Sequence, residues 1–237
     1  MASLHIDLNA DLGETTAGNP VADDAAMLEM VSSANVATGF HAGDPHSIAQ
    51  TLKAAARAGV TVGAHVGYND PAGFGRRFID YNAAELADEV TYQIGALDAL
   101  ARANGTRVSY VKPHGAMYNT IVKDEAQAKG VIAGIKAFGD LPVMLLPGGL
   151  AVDIAESQGL TVIREAFADR NYNPDGTLVS RKQDNAVLGD EGDVVKRVLE
   201  VAQTGSITAI DGTTLDVDAQ SVCTHGDSPG SVKLLRG

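Results

Sequence analysis

Seven short apolar runs recur along the chain, each bounded by glycine, proline or polar residues. They are LHIDLNA near 4–10, ANVATGF near 34–40, VTVGAHV near 60–66, RVSYVKPH near 107–114, LPVMLLP near 141–147, LTVIREAF near 160–167 and QSVCTHG near 220–226. Their length and their β-branched or aliphatic content predict strands. Helical spacing fills the intervals: 23–33, 46–58, 83–104, and then DEAQAKGVIAGIKAF, GGLAVDIAESQ and EGDVVKRVLEVAQ. Asp44 is placed to cap the second helix with Pro45 as its first residue, and Gly105 stops the third. Strands that alternate with helices predict a parallel sheet with crossover connections, an α/β fold.

Two stretches break the alternation. NYNPDGTLVSRKQDNAVLGD (171–190) is a polar excursion after the sixth strand, and ITAIDGTTLDVDA (207–219) reads as a β-hairpin around Asp-Gly. There is no internal repeat or low-complexity linker, so one domain over 1–237 is expected.

The titratable residues fall at the C-terminal ends of the predicted strands. Asp7, Asn9 and Asp11 end the first, His41 the second and His65 the third. Lys112 and His114 end the fourth, Glu165 and then Asp169 the sixth, and His225 and Asp227 the last. Side chains alternate faces along a strand, so Asp7, Asn9 and Asp11 share a face, as do Lys112 with His114 and His225 with Asp227. In an α/β barrel such residues meet at the C-terminal mouth, where active sites lie. The competing reading is a structural ion-pair network. Buried charge is costly unless paired, which favours a functional cluster.

Composition narrows the function. A formal net charge of −12 argues against nucleic acid or an anionic membrane as the main partner. The single cysteine, Cys223, rules out an intrachain disulfide and any multi-cysteine metal site, and it reads as a small buried hydrophobe. The opening MASLHIDLNADLGE has neither a basic nor an apolar leader region, and a cytoplasmic location is expected. GxGxxG, GxxxxGK[ST] and GxSxG patterns are absent; LLPGGLA offers glycines before a helix, which would suit an anion.

The blocks DLNADLGE (7–14), TGFHAGDP (38–45), GAHVGYNDPAGFGRR (63–77), VKPHGAMYN (111–119), EAFADRNY (165–172) and CTHGDSPG (223–230) resemble the LamB/YcsF family, in family order and over nearly the whole chain. The resemblance implies a distorted (β/α)7 TIM-like barrel of the glycoside hydrolase/deacetylase type. It also implies an ATP-dependent 5-oxoprolinase reaction, with Mg2+-ATP as cosubstrate and with 5-oxoprolinase subunits B and C as partners. A γ-lactam is an unstrained amide, and phosphorylation of its carbonyl oxygen would activate it toward water. On that reading Asp11 and His41 position or deprotonate the attacking group, and Lys112 and His114 stabilise developing negative charge or meet phosphoryl oxygens. Asp7 and Asn9 bind ring edges, Arg76 and Arg77 hold a carboxylate or phosphate unless they are a solvated loop pair, and His225 with Asp227 form an acid/base pair. His65, Glu165 and Asp169 complete the substrate-binding set.

Two other readings stand beside it. One is a metal-dependent hydrolase of amides or N-acetyl sugars with Asp11, His41 and His46 as ligands, although no resident metal is the favoured expectation. The other is a protein that binds the lactam without catalysis, its partners doing the chemistry. Alanine at Lys112 or His114 is expected to abolish turnover of the assembled complex with the fold intact, as measured by 5-oxoproline-dependent ADP release. Near-normal activity in either variant counts against those roles.

Overall fold

The structure is a computed structural model and describes residues 5–224. The chain starts with β1 (Asp7–Leu12), a small hairpin of β2 (Thr15–Thr16) and β3 (Asn19–Pro20), and a short helix, α1 (Asp24–Leu28). There follow β4 (Ser33–Ala37), α2 (Pro45–Ala58), β5 (Thr61–Val66), a 3-10 turn at Pro71–Gly73, α3 (Ala83–Ala103), β6 (Val108–Pro113), α4 (Gly115–Thr120) and α5 (Glu125–Phe138). Next come β7 (Val143–Leu145), α6 (Leu150–Ser157), β8 (Val162–Phe167), α7 (Glu191–Thr204), the hairpin of β9 (Ser206–Thr208) and β10 (Thr214–Asp216), and β11 (Ser221–Thr224). β1, β4, β5, β6, β7, β8 and β11 are the seven strands expected from the apolar runs. All pair in parallel and close a barrel in the order β1–β11–β8–β7–β6–β5–β4.

The helix signals act as expected. The Asp44 side chain accepts from the backbone N–H of His46 and Ser47, Ser47 returns the bond, and Pro45 opens α2. Three local features differ from expectation. α1 stops at Leu28 because Ser33 already pairs in β4. α4 is an additional element, since VKPHGAMYN passes from strand to helix across His114 alone, between Pro113 and Gly115. The β2–β3 hairpin turns on Ala17 (φ 49°) and Gly18 (φ 79°), both in the left-handed region that a type I′ turn needs, but without the usual Asn-Gly signal.

Burial divides into two kinds. Between strands and helices the core is aliphatic, with Leu52, Val62, Ile94, Val111 and Ile132 essentially inaccessible. The barrel interior is polar instead. Ser33 and Ser221 donate to Asp7 at 2.7 and 2.5 Å. Above them, Asn9 donates to Ser221 Oγ at 2.7 Å, Asn35 donates to Asn9 at 2.7 Å and to Asp11 at 2.9 Å, and the Tyr110 hydroxyl donates to Asn35 at 2.6 Å. Barrel interiors are usually filled by branched aliphatic layers. Here the faces that would carry them carry serine, asparagine and carboxylate, each with a partner, as buried polar groups require.

Gly63 makes room for this arrangement. A Cβ there would overlap the Tyr110 ring, whose hydroxyl reaches across β5 to Asn35 on β4. Gly63→Ala is expected to destabilise the fold by about 1–3 kcal/mol through overpacking. Gly95, half-buried in α3, has open space at its Cβ position, and Gly95→Ala is expected to stabilise by about 0.5–1 kcal/mol. Urea unfolding of the two variants checks the opposite signs.

Candidate active site

The site is built on the C-terminal ends of the barrel strands, and its centre is the ammonium of Lys112 on β6. Lys112 is almost wholly buried. Its Nζ lies 2.7 Å from Glu165 Oε1, 3.2 Å from Asp11 Oδ1, 3.2 Å from Asn9 Oδ1 and 3.1 Å from Cys223 Sγ. Burial alone would pull its pKa down; the charge of Asp11, with Glu165, outweighs this and holds it well above the ordinary lysine value. Glu165 also accepts from Asn9 at 3.0 Å and from the Tyr118 hydroxyl at 3.0 Å, so the carboxylate is as fully satisfied as the cation.

Beside this pair lies a group of three imidazoles and a carboxylate. His41 stacks on His114 with ring centroids 3.7 Å apart, and His65 meets both edge-on. Glu14 Oε1 is 2.9 Å from His41 Nε2, 3.6 Å from His114 Nδ1 and 3.9 Å from His65 Nε2. Asp11 Oδ2 is 3.2 Å from His65 Nε2. Burial, reinforced by the neighbouring imidazoles, lowers the pKa of His41 and His114 well below the usual histidine value. For His65 burial acts in the same direction, but Asp11 outweighs it and the pKa is raised. The loop after β5 presses its backbone on these rings. A Cβ on Gly67 would stand 2.9 Å from His41 Nδ1, and one on Gly75 would stand 2.7 Å from His41 Cβ and 2.9 Å from His114 Cδ2. The glycines of GAHVGYNDPAGFGRR thus let the loop close on the histidines.

A cavity of about 680 Å³ opens above this layer. Asp11, Glu14, His65, Lys112 and His114 reach it from below. Arg76, Tyr118, Arg170, Arg181 and Lys182 line its sides. Its lining thus carries five arginines and lysines against two carboxylates, in a chain of net charge −12. Much of the wall comes from the polar excursion. Arg170 donates to the carbonyls of Val179 at 2.6 Å and Ala186 at 3.2 Å, and Arg197 of α7 donates to the Arg170 carbonyl at 2.8 Å. Burial, together with Arg181, brings the Arg170 guanidinium down to about 10.

The profile of the LamB/YcsF family matches residues 6–237. The chain belongs to the LamB/YcsF family. Among curated proteins it is similar to the 5-oxoprolinase A subunit of Corynebacterium jeikeium (strain K411), 72% identical over 98% of this chain and 91% of that one. It is also similar to the 5-oxoprolinase A subunit of Kocuria rhizophila, 57% identical over 97% and 91%. Among solved structures, the lactam utilization protein from Thermus thermophilus superposes with a TM-score of 0.91 at 38% identity, covering 98% of this chain and 93% of that chain.

Within this LamB/YcsF barrel the candidate residues do not all meet at the cavity. Asp11, His65, Lys112, His114 and Arg76 line the cavity. Asn9 and Glu165 are buried beneath it, Asp7 is only partly buried at the start of β1 and bonded to Ser33, and His41 and Asp169 are buried without lining the cavity. Arg77 turns away, with its guanidinium on Asp70 and its side chain largely exposed. His225 and Asp227 lie outside the described residues. The metal set Asp11, His41 and His46 is not assembled: His46 is exposed in the first turn of α2, and the groups gathered around His41 are Glu14, His65 and His114. Cys223 is buried as expected, but it contacts the Lys112 ammonium rather than serving only as apolar filling.

Glu14, Arg170, Arg181 and Lys182 carry no signal in the strand pattern. Glu14 sits one residue past Gly13, whose φ of 70° turns the chain out of β1, so strand parity does not reach it. No helix among the described residues is long and apolar enough to cross a membrane.

The burial of Lys112 changes the expectation for its alanine variant. Lys112→Ala leaves Asp11 and Glu165 without their shared cation in the barrel axis. Breaking a buried pair costs about 3–5 kcal/mol. The variant is therefore expected to unfold at markedly lower urea, and a loss under about 1 kcal/mol would show that the ammonium is not the centre of the network.

Proposed function

We propose that this chain is a single-domain A subunit of an ATP-dependent 5-oxoprolinase, acting with subunits B and C in the cytoplasm. The observation that carries the reading is the identity of up to 72%, over nearly the whole chain, to proteins named as the A subunit of 5-oxoprolinase. The site supports it in kind. A mouth with Arg76, Arg170, Arg181 and Lys182 around it suits an anionic ligand, and 5-oxoproline bears a carboxylate to which phosphorylation adds further charge. The cavity is larger than the lactam needs, which leaves room for a phosphoryl group.

In the proposed sequence the γ-phosphoryl group of ATP passes to the lactam carbonyl oxygen and ADP leaves. Water then adds to the activated ring carbon and gives up a proton. The C–N bond breaks, the nitrogen takes a proton and becomes the amine, and an acyl phosphate remains. A second water cleaves the acyl phosphate to glutamate and phosphate. Asp11, held by Lys112 and facing His65, lines the cavity and is the base assigned to the attacking water. The Lys112 ammonium stabilises the negative charge that develops on the ring carbon's substituents. Arg170 and Arg181 hold the anionic groups. The chain contains no P-loop pattern, so the nucleotide is assigned to the assembled enzyme rather than to a P-loop of this chain.

The test is ADP and glutamate release from 5-oxoproline and ATP by this chain alone and with both partners. Turnover is expected only in the assembled enzyme. There, Asp11→Asn should lower kcat by about 100-fold or more, and Arg181→Ala should raise KM several-fold with kcat nearly unchanged, as loss of uniform binding does. A fully active complex carrying Asp11→Asn would remove this chain from the chemical step.

A further inference from the structure

We infer that Glu14, His65 and His114 form a binding site for one divalent transition-metal ion, with an open coordination position facing the cavity and with His41 as a supporting residue behind it. Backbone partners dictate where the imidazole protons lie. A carbonyl oxygen only accepts, so a ring nitrogen bonded to one must carry the hydrogen. His65 Nδ1 lies 3.0 Å from the Lys112 carbonyl, and His114 Nε2 lies 2.8 Å from the Phe74 carbonyl. Both rings therefore turn their other nitrogen, a lone pair whenever the ring is neutral, to the same place. Those nitrogens, His65 Nε2 and His114 Nδ1, face each other at 3.0 Å.

Two lone pairs do not bond each other, and Glu14 Oε1 adds negative charge 3.6 and 3.9 Å from them. A positive centre among the three, a proton or a metal ion, relieves that repulsion. One proton on His65 Nε2 reaches His114 or Asp11, but Glu14 is too far from that nitrogen to share it. A metal ion serves all three at once. Tetrahedral ligands at bond lengths near 2.0–2.1 Å stand about 3.3 Å from one another. The observed separations of 3.0, 3.6 and 3.9 Å bracket that value.

The surroundings fit the same assignment. An imidazole that ligates a metal usually donates its second N–H to a carbonyl or carboxylate, and His65 and His114 both do. His41 does not: its Nδ1 is buried with no hydrogen-bond partner, while its Nε2 is 2.9 Å from Glu14 Oε1. His41 therefore donates Nε2–H to Glu14 and orients that carboxylate. The lining of the cavity agrees, because it includes Glu14, His65 and His114 but not His41. Two imidazoles and one carboxylate with an open position suit zinc, cobalt or manganese, and an ion so held acidifies a bound water. Asp11 Oδ2, 3.2 Å from His65 Nε2, is placed beside that water's position.

The site is tested with metal alone, so its failure and that of the lactam reading are distinguishable. The chelator-treated chain is titrated with cobalt(II) and with zinc, and binding is followed by visible absorption and calorimetry. One equivalent is expected, with X-ray absorption of the zinc-loaded chain showing two imidazole ligands. Glu14→Gln and His114→Ala, checked for native near-ultraviolet circular dichroism, should weaken binding at least 100-fold. His41→Ala should still bind one equivalent, about 10–100-fold more weakly, as loss of an outer partner does. No saturable binding by the wild-type chain, or fewer than two imidazoles in the zinc complex, overturns the site whatever the variants do. Abolished binding in a folded His41→Ala variant overturns the three-ligand assignment.

Discussion

An ammonium group in the axis of a barrel is the constraint around which this structure is arranged. Removing a lysine charge from water costs several kcal/mol even after relaxation, and only close, well-oriented partners offset that. Lys112 finds them on three other strands: Asp11 and Asn9 on β1, Glu165 on β8 and Cys223 on β11. The partners have needs of their own. Asn9 requires Ser221 and Asn35, Asn35 requires Tyr110, and Asp7 requires both Ser33 and Ser221. A single charge therefore propagates a hydrogen-bonded column down the interior, and the column specifies the register of every strand that contributes to it. Partly satisfied networks of this type are costly, and fully satisfied ones specify a unique core.

The histidine group rests on different supports. Its rings are fixed by backbone carbonyls and by glycine-lined loop segments rather than by the column. The two assemblies meet at Asp11, which contacts Lys112 with one oxygen and His65 with the other. That shared carboxylate couples the electrostatics of the axis to the imidazoles at the mouth. It also explains why His65 is shifted in the opposite direction from His41 and His114 although all three are buried.

The architecture is legible in the sequence because it rests on local signals. Seven apolar runs and the capped helices between them predict the seven parallel strands, and parity along β1 and β6 brings Asn9, Asp11 and Lys112 together. What the sequence conceals lies where periodicity ends. Glu14 follows a left-handed glycine, so alternation says nothing of its direction. Arg170, Arg181 and Lys182 reach the cavity through a polar excursion whose path depends on side-chain-to-carbonyl bonds distant in sequence. Arg76 and Arg77 are neighbours in sequence but part company in space, because Asp70, seven residues before Arg77, captures one of them. Asp70 belongs to the same motif as both arginines, but its pairing is a property of the loop's fold and not of its composition.

The excursion between Arg170 and α7 lies outside the closed sheet. Its backbone is braced by guanidinium-to-carbonyl bonds and two isolated bridges, Arg170 with Val187 and Tyr172 with Leu178; buried Tyr172, which accepts from the Phe167 N–H at 2.9 Å, and Asp175, paired with Lys123 at 3.1 Å, tie it to the barrel, but none of its residues pairs into the closed sheet. Reactive groups and selecting groups are thus carried on separable parts of one chain. A lineage can lengthen, shorten or recharge this flap and admit a differently shaped guest, while the strands that bear the acid, the amine and the imidazoles stay as they are.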